Sequence, residues 1–250
     1  MAGHNKWSKI KRQKAKEDKK KSKIWARLSR EIAVAAREGG GDPDMNATLA
    51  NAIERAEAEN MAKDTIERAI KRGTGELEGQ DYEPATYEGY APHGVAVFVE
   101  ALTDNTNRTV ADLRHLFKTY DGNLGKDGSV GYLFEQKGRF TIPADATDEM
   151  TLFEIVVEAG AEDLREEDGA FVVTTSVDAY STVETALEEA DVEPEESGLV
   201  RIPATTVSLD ASQHATVEAL VEAIEDHDDV QAVYTTLDVG GEALAFSDTD

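Results

Sequence analysis

Residues 139–203 read RFTIPADATDEMTLFEIVVEAGAEDLREEDGAFVVTTSVDAYSTVETALEEADVEPEESGLVRIP. A strand opens the stretch at Arg139, and Leu152, Ile155 and Val156 follow at helical spacing. Two more strands flank the turn at Gly169, Val183 and Leu187 mark a second helix, and a last strand ends at Pro203. The order βαββαβ is that of a ferredoxin-like domain.

Both flanks of this stretch are incomplete alone. Before it, Val95–Leu102 is a β-rich run bounded by Pro92-His93-Gly94 and Thr103-Asp104-Asn105; a helix follows at Val110, Leu113 and Phe117, and a strand near Val130–Phe134. After it come a strand at Val207 and Leu209, a helix through Val217, Leu220, Val221 and Ile224, and a strand from Val230 to Leu237. The tail needs a partner sheet, and the earlier unit offers one. The expectation is therefore an α/β domain made of 77–138 and 204–250, interrupted by an inserted domain at 139–203.

The first 76 residues read differently. Ile24, Leu28, Ile32 and Ala36 step along one helical face until Gly39-Gly40-Gly41-Asp42-Pro43 stops it. Asn46 can cap a second helix through Leu49, Ile53 and Ala56, and Asp64 a third through Ile66, Ala69 and Ile70. Residues 11–23 have no apolar face and suit either a frayed helix or a segment disordered until bound. The fold class is α+β: a helical N-terminal domain, then two α/β domains, the third ferredoxin-like and inserted into the second.

Charge is segregated along this chain. Twelve of the 26 Lys and Arg residues lie between Lys6 and Arg30, although the formal net charge is -25. Residues 1–73 hold 18 basic and 11 acidic residues, and the remainder 8 and 40. A basic arm on an acidic protein points to a polyanion. The acidic excess itself suits a cytosol rich in salt, where a Debye length of about 3 Å near 1 M suppresses self-repulsion.

Within the arm, Lys6, Lys9, Lys11, Arg12, Lys14 and Lys16 can neutralise phosphates, and Trp7 can stack on a base or anchor the arm to the helical domain. Phosphate contacts position a protein without reading sequence. Asp104-Asn-Thr-Asn-Arg-Thr109 lies between a strand and a helix, where Asn105 and Asn107 supply capping chemistry and Arg108, with Arg114 further on, could meet a phosphate. Gly122-Asn-Leu-Gly125 reads as a plain turn, and acidic pairs such as Glu166-Glu167 as solvated faces.

Catalytic patterns are missing. Lys126 follows Gly125 without Walker A spacing, the five histidines form no His-x-x-x-His pair, and no Gly-x-Ser-x-Gly occurs. With no cysteine in the chain, thiolate chemistry is excluded and a reducing compartment fits. No run of about 18 apolar residues or signal segment is visible, so the expectation is a cytoplasmic, non-enzymatic protein without cofactor, metal, membrane contact or small-molecule substrate. These patterns do not encode an oligomeric state.

The opening MAGHNKWSKIK, the Gly-Gly-Gly-Asp-Pro break, Asn60–Gly73 (NMAKDTIERAIKRG), Tyr87-Glu-Gly-Tyr-Ala-Pro92, Leu102–Ala111 (LTDNTNRTVA) and Gly122–Val130 (GNLGKDGSV) together resemble the YebC/PmpR family over nearly the whole chain. The resemblance implies a three-domain cytoplasmic protein. Members are labelled probable transcriptional regulators, some bind promoter DNA, and relatives that include mitochondrial ones activate translation by binding the ribosome and easing synthesis of proline-rich stretches. It points to Lys6, Trp7, Lys9, Lys11 and Arg12, and to Asn105, Asn107 and Arg108. The acidic C-terminal half departs from the family and argues against a nucleic-acid contact from the third domain.

Two functions thus stand side by side. One is a regulator of gene expression that grips promoter DNA or ribosomal RNA with its arm. The other is a protein–protein adaptor that works through its acidic α/β domains.

Overall fold

The computed structural model describes the backbone of residues 3–167 and 169–238, with side chains from Lys21 onward in those ranges. Helix α1 spans Gly3–Gly39, so the polar stretch 11–23 is helical. It stops where Gly40 takes φ +90°, a conformation that favours glycine. A 3-10 turn at Pro43–Met45 leads to α2, Ala47–Ala58, and then α3, Lys63–Gly73.

Asn46 joins these helices. Its Oδ1 accepts from the Leu49 N–H at 3.1 Å as the α2 cap, and its Nδ2 donates to the carbonyls of Ala35 at 2.8 Å and Gly40 at 2.9 Å. The helical core is Leu28, Ile32 and Ala36 of α1 against Leu49, Ala52, Ala56, Ile66 and Ala69. Each buried Leu or Ile there contributes about 1.5–3 kcal/mol. Trp25 is pinned at the edge of this core, its Nε1 donating to the Glu59 carbonyl at 3.0 Å. The expected α3 cap is corrected: Ala62 holds that position, without a side-chain bond, and Asp64 lies inside the first turn. Its charge there still complements the helix dipole.

From residue 83 the order is β1 Glu83–Tyr90, β2 Ala96–Thr103, α4 Thr106–Thr119, β3 Asn123–Leu124, β4 Phe134–Pro143, α5 Glu149–Glu158, β5 Ala161–Glu167, β6 Ala170–Thr175, α6 Tyr180–Glu189, β7 Glu196–Pro203, α7 Ala211–Glu225 and β8 Val230–Thr235. The strands form two four-stranded sheets, β3-β1-β2-β8 and β5-β6-β4-β7. In the second, β4 pairs antiparallel with β6 and β7, and β5 with β6, which is ferredoxin-like order. One face of that sheet packs Phe140, Ile142, Phe171 and Val173 against Leu152 and Val156 of α5 and Val183 and Leu187 of α6. This set lies in the chain between the strands of the first sheet, the insertion that the βαββαβ pattern predicts.

Three local readings change. Asn123 and Leu124 are not a plain turn: they form β3 by pairing with Tyr90 and Gly89. The strand expected at Val130–Phe134 is a 3-10 turn at Gly131–Leu133, with β4 beginning at Phe134. Glu88 is the physical reason, because its carboxylate collects the N–H groups of Gly128, Val130 and Gly131 at 2.8, 2.6 and 2.7 Å. Those donors are withdrawn from any ladder. Finally, Val207 makes an isolated parallel bridge to Leu237 rather than a strand.

The described chain divides into two compact units. One holds the helices α1–α3 with Val99–Leu116 and Val221–Ala232; the other holds Glu88–Phe98, Phe117–Leu220 and the segment from Val233.

Candidate nucleic-acid interface

Helix α7 ends at Glu225 and β8 begins at Val230, so the connection Asp226-His-Asp-Asp229 is a tight acidic turn. Three separate stretches of the first unit attach to it. From α1, Lys23 Nζ pairs with Asp226 Oδ1 and also donates to its carbonyl at 3.0 Å, and Arg30 donates to the Asp228 carbonyl. Arg30 also lies over the Tyr82 ring at 5.5 Å. From α4, His227 Nε2 faces Asp112 Oδ2 at 3.4 Å. His227 Nδ1 accepts the Asp229 N–H at 3.2 Å, which puts the proton of the neutral ring on Nε2.

Asp229 is the buried member, 4% exposed. Its Oδ2 accepts from Arg108 Nη2 at 2.8 Å, from Thr109 Oγ1 at 2.8 Å and from Thr103 Oγ1 at 3.2 Å. Burial pushes its carboxyl up, but the bonds from Arg108 and Thr109 and the Arg108 charge outweigh burial and hold it below the usual carboxylate range. Arg108 is driven further towards its charged form by hydrogen bonds to Asp229 and then Asp104.

The sequence-predicted residues can now be placed. Asn105 caps α4, its Oδ1 accepting the Arg108 N–H at 3.1 Å. Asn107 is exposed on the first turn. Arg108 spends Nη2 on both carboxylates, Asp104 at 2.7 Å and Asp229 at 2.8 Å, and its remaining donors carry no partner among the described residues. Arg114 is exposed further along α4. Lys6, Trp7, Lys9, Lys11, Arg12, Lys14 and Lys16 lie outside the residues whose side chains are described. The acidic turn therefore brings together the helix that carries the arm and the Arg108 motif. Local patterning singles out neither this turn nor Arg30 and Asp229.

Among the described residues no group of His, Asp and Glu has a metal-holding arrangement. No described helix is long and apolar enough to cross a membrane.

Residues 5–76 match the family profile described as TACO1/YebC protein N-terminal domain, and residues 82–237 match TACO1/YebC second and third domain. The chain belongs to the TACO1/YebC family. A Salinibacter ruber relative is 64% identical over 98% of this chain and 96% of its own. One from Persephonella marina is 49% identical over 98% of each chain. Both carry the name "Probable transcriptional regulatory protein". The crystal structure of a conserved hypothetical protein from Aquifex aeolicus superimposes with a TM-score of 0.81 at 43% identity, over 88% of this chain and 91% of that one. This TACO1/YebC chain thus has the α+β fold with a helical N-terminal region and two four-stranded sheets.

Proposed function

We propose that this chain is a cytoplasmic, non-enzymatic regulator of gene expression that binds nucleic acid through its N-terminal arm. The observation that carries the reading is the double attachment of α1. Apolar packing at Leu28 and Ile32 fixes its inner half, and Lys23 and Arg30 tie it to the acidic turn. A helix secured this way aims one end, bearing Lys6, Lys9, Lys11, Arg12, Lys14 and Lys16, at a phosphate backbone. Arg108, Arg114, Asn105 and Asn107 supply a second contact next to the anchored turn.

Structured RNA of the ribosome suits this arm better than an operator. The arm carries one aromatic residue, Trp7, and no sequence-reading helix-turn-helix pattern is apparent. The relatives are named as transcriptional regulatory proteins, a role for which DNA is the expected target, so both targets enter the test. Deleting residues 1–23 should abolish binding to ribosomal RNA and to duplex DNA in fluorescence anisotropy. Unchanged binding to both would remove the arm from the mechanism.

A protein–protein adaptor is the second reading, and one observation favours it. Met150, Phe153 and Val157 stand 74, 52 and 47% exposed on α5, an apolar stripe of the kind that marks contact surfaces. Replacing Phe153 and Val157 with Ser should leave nucleic-acid binding intact if the arm is the gripping element.

A further inference from the structure

Beyond Lys118 the sequence holds five cations, Lys126, Lys137, Arg139, Arg165 and Arg201. Four of them, all but Lys126, line one cleft of about 280 Å³ on the second sheet. Glu135, Glu162, Asp163 and Glu167 line the same cleft, so it is charge-balanced, and cation-rich only by contrast with the heavily acidic region around it. The strand register explains how it arises. Phe140 and Ile142 of β4 are buried in the core, so the alternate residues Lys137 and Arg139 belong to the opposite face. Thr174 of β6 and Gly198 of β7 are the register partners of Arg139. Val172 of β6 is the partner of Arg165 on β5.

Residues directly opposed in an antiparallel pair share a face, so Thr174 and Val200, the register partners of Arg139 and Lys137, line the cleft beside them. Lys137 is only 17% exposed and pairs with Glu135 at 2.8 Å and Glu162 at 2.9 Å, while Arg165 pairs with Asp163 at 2.6 Å. Lys137 and Arg165 are thus oriented by carboxylates, which an incoming anion with bidentate geometry can replace at the arginine.

We infer that this cleft is a second anion site, one that takes a phosphate group carried on a nucleotide or on a single strand of RNA. Arg139 is its central ligand, and Lys137 and Arg165, on the same face of the sheet, supply the neighbouring positive charge. The volume is near the lower end for small-ligand pockets, about 300 Å³, which fits a mononucleotide unit. The inference stands on this sheet alone and is independent of the arm reading. It also amends the expectation that acidity bars the third domain from such contacts.

The test uses the full chain with two probes, AMP and a ten-nucleotide oligouridylate, titrated by calorimetry. Arg139→Gln removes the central cation, and Thr174→Phe fills cleft space beside it while leaving every charge in place; circular dichroism confirms the fold of each. Saturable binding of at least one probe, weakened about tenfold or more by both variants, supports the site. Loss confined to AMP marks a nucleotide site, and loss confined to the oligomer marks an RNA-backbone site. Absence of binding by both probes, or binding that neither cleft variant weakens, overturns the inference.

Discussion

Arg108 Nη2 lies 2.8 Å from Asp229 Oδ2, joining the start of α4 to the turn before β8 across 121 residues of sequence. The carboxylate is buried and the guanidinium is 46% exposed at its side chain, so the pair faces solvent on one side only. Asp229 is thereby the structural partner that orients Arg108.

Removing Asp229 should consequently cost more than removing a surface charge. Asp229→Ala leaves Arg108, Thr103 and Thr109 without their common acceptor, and a loss of about 2–4 kcal/mol is expected from the unsatisfied buried groups. Urea unfolding followed by circular dichroism measures it. A change below about 0.5 kcal/mol, the range of ordinary surface substitutions, would refute the role.

The same carboxyl predicts an acid limb. Its folded pKa is lowered, so its contribution is fully present above the unfolded value of about 3.9 and declines as pH falls below that towards the folded value. Glu88, Asp148 and Asp210 shift in the same direction and act in the same sense. Asp229→Asn should flatten the stability-against-pH curve below about pH 4.

Glu88 offers an independent check in the second unit. It is 7% exposed and takes three backbone N–H groups. Burial raises its carboxyl, and the hydrogen bonds from Val130, Gly128 and Gly131 together with the Arg201 charge outweigh that. Glu88→Gln keeps one acceptor oxygen and introduces an amide facing donors, so a destabilisation of about 1–3 kcal/mol is expected. Hydrogen exchange at Gly128, Val130 and Gly131 should accelerate. Unchanged exchange would contradict the assignment.

Salt should stabilise the fold. With a net charge of -25, self-repulsion is large in dilute buffer and screened near 1 M, where the Debye length is about 3 Å. The Tm should climb by several degrees between about 0.05 and 2 M KCl. Full thermal stability in low salt would dismiss the halophilic reading.

Much of the architecture was legible because it rests on local periodicity. The βαββαβ order follows from alternation and helical spacing in 139–203, and the Asn46 cap from a side chain that reaches three residues on. What escaped depends on partners distant in sequence. Strand β1, EPATYEGY, contains Pro84 and Gly89 and does not advertise itself. Val130–Phe134 has strand composition, yet Glu88, some 40 residues earlier, claims its donors. Nothing local marks Asp226–Asp229, because Lys23, Arg30 and Arg108 reach it only through the fold. The cleft cations are similarly scattered, and strand register puts Lys137, Arg139 and Arg165 on one face.

Ribosome co-sedimentation tests the central claim most directly. The full chain should travel with ribosomes through a sucrose gradient, and Lys9→Gln, Lys11→Gln, Arg12→Gln should shift it to the soluble fractions. Free migration of the unaltered chain away from ribosomes, together with promoter-specific binding in a gel shift, would contradict the ribosomal target; free migration with no nucleic-acid binding at all would contradict the function itself.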